Sequence, residues 1–259
     1  MSSIAQLRAE LQKPRASVDT WYGKNVMRRF SIYITWLFSK LGFSPNTATS
    51  LSVVAVFLGA IFLSASFWGL GIFFINLWYL LDHVDGELAR FYGRSSASGL
   101  FYDTIVNFLV QPLTFFGLGW GLSESFGESY FLFGVLGGFG YLMLSLIPMC
   151  EASILLERLK IKGLPKEAAN ASFTASKLAP GPRSLFAAWH KMILFPNFLM
   201  AISAIYFVTA LNFERFEHLV LISFLIFYSV SCTVIWAAQL FQKVHSKKID
   251  GHPWIVGKA

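Results

Sequence analysis

Six stretches of this 259-residue chain are apolar over lengths that match a bilayer, and that constrains its fold more than any other feature. A spanning helix needs about 20 mostly apolar residues. Such runs fall near 47–65, 69–90, 98–121, 129–155, 193–211 and 219–242. Hydrophobic residues make up 55% of the chain and charged ones only 14%, whereas soluble domains carry about a quarter charged residues. The expectation is an all-α integral membrane protein with six transmembrane helices. Cys150 and Cys232 both lie inside apolar runs, so no disulfide framework is implied. Residues 1–20 are polar and basic and do not read as a cleavable signal peptide.

The basic residues set the orientation. Seven Lys or Arg precede residue 47, two follow Asp82 in the turn before the third run, seven lie in the 156–192 loop and four in the tail. Of the 21, only Arg215 falls on the opposite face. The positive-inside rule therefore puts both termini on the cytoplasmic side, as an even number of spans requires. The chain divides into a cytoplasmic segment 1–46, a membrane domain 47–242 and a cytoplasmic tail 243–259. The formal charge of +7 is explained by this placement at a membrane surface, with no nucleic-acid partner.

Before the first run, residues 21–40 mix Trp21, Phe30, Tyr33, Trp36 and Leu37 with Lys24, Arg28, Arg29 and Lys40. This segment reads as an amphipathic helix lying in the membrane interface. The 156–192 loop, rich in Gly, Pro, Ala, Ser and Lys, reads as a partly ordered connection, with its cations available to an anionic substrate as the sharper alternative. The pairs Gly117/Gly121 and Gly134/Gly138 permit close helix approach, with internal packing preferred over a dimer seam.

Ionisable groups beside membrane spans are costly and mark functional sites. At the end of the second run, Asp82 and Asp85 stand one helical turn apart, and Gly86 and Ala89 continue that face with small side chains. Arg90 closes it with a fork suited to phosphate. On the third run Gly99, Asp103, Asn107 and Gln111 recur every four residues as one polar stripe. Facing one another, the stripes bring three carboxylates and a neutral amide together. Oxygen-only sites of this kind suit Mg²⁺, Mn²⁺ or Ca²⁺ rather than zinc. Two divalent ions bridged by carboxylates are a common device of phosphoryl transfer.

The stretch 82–107 resembles the signature of the CDP-alcohol phosphotransferases, D-x2-D-G-x2-A-R-x8-G-x3-D-x3-D. Every spacing agrees, and seven of the eight fixed positions agree in identity: Asp82, Asp85, Gly86, Ala89, Arg90, Gly99 and Asp103. The eighth is Asn107. Ser44-Pro45-Asn46, opening the first run, is also similar to the family. The resemblance implies a six-helix homodimer that moves a phospho-alcohol group from a CDP-linked donor to an acceptor hydroxyl, releasing CMP. Such a reaction belongs to phospholipid or related glycolipid and polymer synthesis. It implies Mg²⁺ or Mn²⁺ at two sites held by Asp82, Asp85, Asp103 and Asn107, the second bound more weakly. Asp82, Gly86, Ala89, Arg90 and Gly99 would lie against the CDP moiety.

Position 107 carries the family's general base, and an amide oxygen can bind a cation but cannot take a proton. Three accounts stay open. The chain is active, with the proton going to His83, Glu87, water or a donor phosphate. It carries an inactivating substitution. Or it is a silent nucleotide-binding or scaffold protein on the same fold. A transporter using the acids as an ion site is disfavoured, because the acids cluster at one face rather than the midplane.

Overall fold

A computed structural model of the chain describes residues 4–12, 19–93, 96–161, 189, 193, 195–212 and 217–245. The described residues are all-helical, without strands. Helix α1 (Ile4–Leu7) runs into a π-helical turn, Arg8–Gln12, and a second π turn, Gly23–Met27, leads into α2 (Arg28–Lys40). The long helices follow: α3 (Pro45–Ser64), α4 (Trp68–Phe91), α5 (Ala97–Phe126), α6 (Ser129–Ile161), α7 (Phe195–Asn212) and α8 (Glu217–His245). Most of the 156–192 loop, with Arg94, Arg215 and the tail beyond His245, lies outside the described residues.

Four helices are long and apolar enough to cross a membrane: Pro45–Ser64, Ala97–Phe126, Ser129–Ile154 and His218–His245. The chain is thus a membrane protein on length and composition. The other two expected spans fall short for different reasons. Helix α4 has the length, but its last three turns carry Asp82, Asp85, Glu87 and Arg90. The apolar part of α7, Phe195–Thr209, is too short by itself.

Local chemistry fixes the helix ends next to the acids. Pro45 starts α3 at a position where its missing N–H costs nothing, and the Ser44 side chain caps the helix by accepting from Thr47 N. Ser96 caps α5 by accepting from Gly99 N at 3.0 Å. Between α4 and α5 the chain turns at Gly93, whose φ of +60° is the left-handed geometry that favours glycine.

Helix α3 packs on both α4 and α5, and α6 joins α5 to α8. Its buried stripe, including Ala48, Ser52, Ala55 and Gly59, is small, while Leu51, Val54, Phe57 and Ile61 are exposed along the opposite stripe, as contact with lipid requires. Both G-x-x-x-G pairs serve this internal packing. A Cβ on Gly121 would lie 2.2 Å from the Leu63 carbonyl, and one on Gly134 would lie 2.7 Å from the Phe115 carbonyl. The core between α4, α5, α7 and α8 is aromatic, with Phe198 in contact with both Phe115 and Tyr228, and Trp78 against Phe195.

Candidate functional site

The two stripes meet where α4 ends and α5 begins. Asp82, Asp85 and Asp103 all border one cavity of about 320 Å³, which Arg28, Tyr79 and His83 also line. A second cavity, about 680 Å³, shares Asp85 and Asp103 with the first. It is walled by Ser44, Pro45 and Asn46 at the start of α3, by Gly86, Ala89 and Arg90 on α4, and by Gly99 and Asp103 on α5. Asp85, Gly86, Arg90 and Asp103 border both cavities. Asp82, Asp85, Gly86, Ala89, Arg90, Gly99 and Asp103 are therefore gathered around these two cavities; Asn107 lines neither but bonds to Asp82 and Asp103, and Gln111 lines neither.

Small residues shape the larger cavity. A Cβ on Gly86 would meet nothing nearer than Arg90 Nη1 at 3.4 Å, so this glycine leaves open space rather than permitting a helix crossing. Gly99 is tighter: a Cβ there would lie 3.0 Å from Ser96 Oγ and 3.3 Å from Asn46 Oδ1.

The carboxylates are held individually. Asp85 is 8% exposed, and its Oδ2 accepts from Thr49 Oγ1 at 2.8 Å. Asn107 Nδ2 donates to Asp103 Oδ1 at 2.9 Å and to Asp82 Oδ1 at 3.3 Å. His83 Nδ1 donates to the Tyr79 carbonyl at 2.8 Å, which leaves the lone pair of a neutral ring on Nε2. Arg90 Nε donates to the Leu11 carbonyl at 2.8 Å, so the N-terminal segment fixes the arginine that faces both cavities.

These residues fit a hard divalent cation in kind. The donors are all oxygen, the carboxylates border a common cavity, and no Cys or second His competes for a softer metal. Among the described residues, however, no three His, Cys, Asp or Glu side chains are gathered closely enough to hold an ion. The Asn107 amide stands between two of the carboxylates, donating to both Asp103 and Asp82.

Some partners escaped the sequence reading. Thr49 had a readable signal, because Thr49 and Ser52 put hydroxyls three residues apart on one face of an apolar helix. Arg28 and Glu87 had none, as their roles appear only when α2 packs on α4. Glu87, left open as a proton acceptor, is fully buried with both oxygens engaged. Oε1 accepts from Gln12 Nε2 and Ser31 Oγ, and Oε2 accepts from Thr35 Oγ1, all within 2.7–2.8 Å. It borders neither cavity, whereas His83 borders the smaller one.

The structure is thus that of an all-helical membrane protein whose carboxylates border two adjoining cavities where α4 ends and α5 begins. The chain belongs to the CDP-alcohol phosphatidyltransferase family, whose model matches residues 43–244. Membership supports a phosphotransferase role in lipid synthesis. No individual curated protein matches the chain.

Proposed function

We propose that this protein is a divalent-cation-dependent transferase that moves a phospho-alcohol group from a CDP-linked donor to an acceptor hydroxyl. The observation that carries this reading is the pair of cavities meeting at Asp85, Gly86, Arg90 and Asp103. An in-line displacement at phosphorus needs the leaving and attacking oxygens on opposite sides of one charged centre. The larger cavity suits the CDP moiety, against Gly86, Ala89, Arg90 and Gly99, with Asp82 reaching it from the adjoining smaller cavity. Its glycines let a flat base and a pyrophosphate approach the backbone, and Arg90 supplies a fork for phosphate oxygens.

Asp82, Asp85 and Asp103, with Asn107 through its amide oxygen, would hold Mg²⁺ or Mn²⁺. Bound there, the ions neutralise phosphate charge and template the displacement. Thr49 orients the Asp85 carboxylate, and Asn107 orients those of Asp82 and Asp103. The acceptor oxygen bonds to the alcohol-bearing phosphorus, and the bond from that phosphorus to the CMP oxygen breaks. CMP leaves with the electron pair, and the hydroxyl proton is released to solvent.

Around this site we read six membrane-crossing helices with both termini cytoplasmic and α2 in the interface. The expected assembly is a homodimer. Half-exposed Trp21, Phe30, Tyr33 and Leu37 beside Lys24, Arg29 and Lys40 support the interfacial reading of α2.

A second reading has its own observation. Asn107 bridges Asp82 and Asp103 through N–H groups, which lets the acids rest together without an ion. That arrangement favours a catalytically silent nucleotide-binding protein on the same fold. Measuring CMP release from a panel of CDP-linked donors, with Mg²⁺ or Mn²⁺ and purified protein in lipid vesicles, separates the two. Cation-dependent release supports the transferase, and CDP binding without release supports the silent form.

A further inference from the structure

The N-terminal turns wall a third cavity. Leu7 and Leu11 pack on Ile32 and Trp36, which lays residues 4–12 along α2. Between that segment and residues 24–29 lies a space of about 430 Å³, whose polar lining is Arg8, Gln12, Lys24, Arg28 and Arg29. None of Asp82, Asp85 and Asp103 borders it, and among the described residues no carboxylate does.

Arg28 is balanced by Asp19, but Arg8, Lys24 and Arg29 enter no ion pair among the described residues. Like charges around one space repel, and an anion placed among them turns repulsion into attraction. Arg8 is held ready for one. Its Nη2 donates to the Arg29 carbonyl at 3.2 Å, and its guanidinium lies 5.7 Å from the centroid of the Tyr33 ring. Nε of the same guanidinium is buried and has no hydrogen-bond acceptor among the described residues. A buried donor without an acceptor is a costly arrangement that a ligand oxygen would relieve. Guanidinium groups match phosphate oxygens in shape as well as charge. Ala5 and Ala9, on either side of Arg8 in sequence, bring only methyl groups to the lining and leave room for such a group.

The surroundings select the source of the phosphate. Trp21 is 65% exposed, Phe30 59% and Tyr33 52%, and along the chain they bracket Lys24 and Arg29. Exposed aromatic side chains of this kind belong at the headgroup level of a bilayer, and cations clustered beside them meet anionic lipid. Tyr33 also contacts Arg8, which ties the aromatic face to the cavity. We propose that this cavity binds the phosphate of an anionic phospholipid headgroup, whose oxygens accept from Arg8 while Lys24 and Arg29 share its charge. The inference goes beyond the transferase reading and takes from the section above only the placement of α2 in the interface. Lipid bound there bridges the N-terminal turns and the start of α2.

The test is equilibrium binding to the full-length protein, stripped of lipid in a neutral detergent. It is titrated with short-chain phosphatidylglycerol, with short-chain phosphatidylcholine and with inorganic phosphate as competitor, and bound lipid is read by native mass spectrometry. We expect phosphatidylglycerol to bind at least tenfold more tightly than phosphatidylcholine, and phosphate to displace it only in large excess. Arg8→Gln and Lys24→Gln should each weaken phosphatidylglycerol severalfold. Lys40→Gln removes a cation from the same helix outside the cavity and should change affinity less than twofold. The Lys24 side chain makes no hydrogen bond or ion pair among the described residues, so its substitution stays informative if Arg8→Gln loosens the N-terminal turns. Equal binding of the two lipids, or equal weakening by Lys40→Gln and the cavity variants, overturns the site in favour of general attraction to a basic surface. Phosphate binding as tightly as phosphatidylglycerol overturns the lipid assignment. No nucleotide and no turnover enter these readouts, so the transferase reading stands or falls separately, on CMP release.

Discussion

The amide of Asn107 stands between Asp103 and Asp82, donating to the first at 2.9 Å and to the second at 3.3 Å. A neutral side chain here performs with two N–H groups what a cation would perform with charge. Asn107→Asp therefore replaces a donor by a fourth acceptor. In EDTA the variant should melt below the parent, by about 1–3 kcal/mol for the lost bonds and added repulsion. Added Mg²⁺ should raise its melting temperature more than the parent's. CMP release should rise at least tenfold, or about 1.4 kcal/mol in barrier. Equal rates in the two proteins would show that the proton does not travel through position 107.

Cation dependence has its own measurement. Chelation with EDTA should abolish CMP release, and Mg²⁺ or Mn²⁺ should restore it. Asp85→Asn should remove activity even at high cation concentration, because Asp85 borders both cavities. Activity that survives chelation would refute the assignment of the acids as ligands.

Two glycine substitutions should separate packing from substrate space. Gly121→Ala drives a methyl group into the Leu63 carbonyl, 2.2 Å away, and should cost about 1–3 kcal/mol in thermal stability. Gly86→Ala meets only the end of a flexible arginine at 3.4 Å, so stability should hold while CDP affinity falls severalfold. Equal loss of stability in both would mean that Gly86 serves packing.

Glu87→Ala should be the most damaging single change outside the cavities. It strips a common acceptor from Gln12, Ser31 and Thr35 and leaves buried Arg28 with Asp19 alone. Removing one partner of a buried charge pair costs about 3–5 kcal/mol. Glu87→Gln preserves shape and should lose less. Thermal melting monitored by tryptophan fluorescence reads both. A Glu87→Ala protein as stable as its parent would show that the N-terminal segment is not fastened through this residue.

Much of the site was readable because it is local. Asp82, Asp85, Gly86, Ala89 and Arg90 share one helix, and Gly99, Asp103 and Asn107 share the next, so spacing alone sorts them onto facing stripes. The helices were readable for the same reason, and their ends agree with the apolar runs within a few residues except where α5 and α6 run on to Phe126 and Ile161. Contacts closed over distance were not readable. Ser31 and Glu87 are 56 positions apart, and nothing in either neighbourhood marks them as partners. A glutamate between signature residues looks like one more exposed acid until α2 packs over it. Hydropathy is also least informative at the site itself, because Asp82, Asp85, Glu87 and Arg90 make the end of α4 polar.

The fastening of Leu11, Gln12, Tyr22, Ser31 and Thr35 to α4 has a mechanical consequence. The carboxylate-bearing end of α4 is thus braced from outside the long-helix body, and a change in how the preceding segment packs would be felt at the cavity through Glu87 and Arg90.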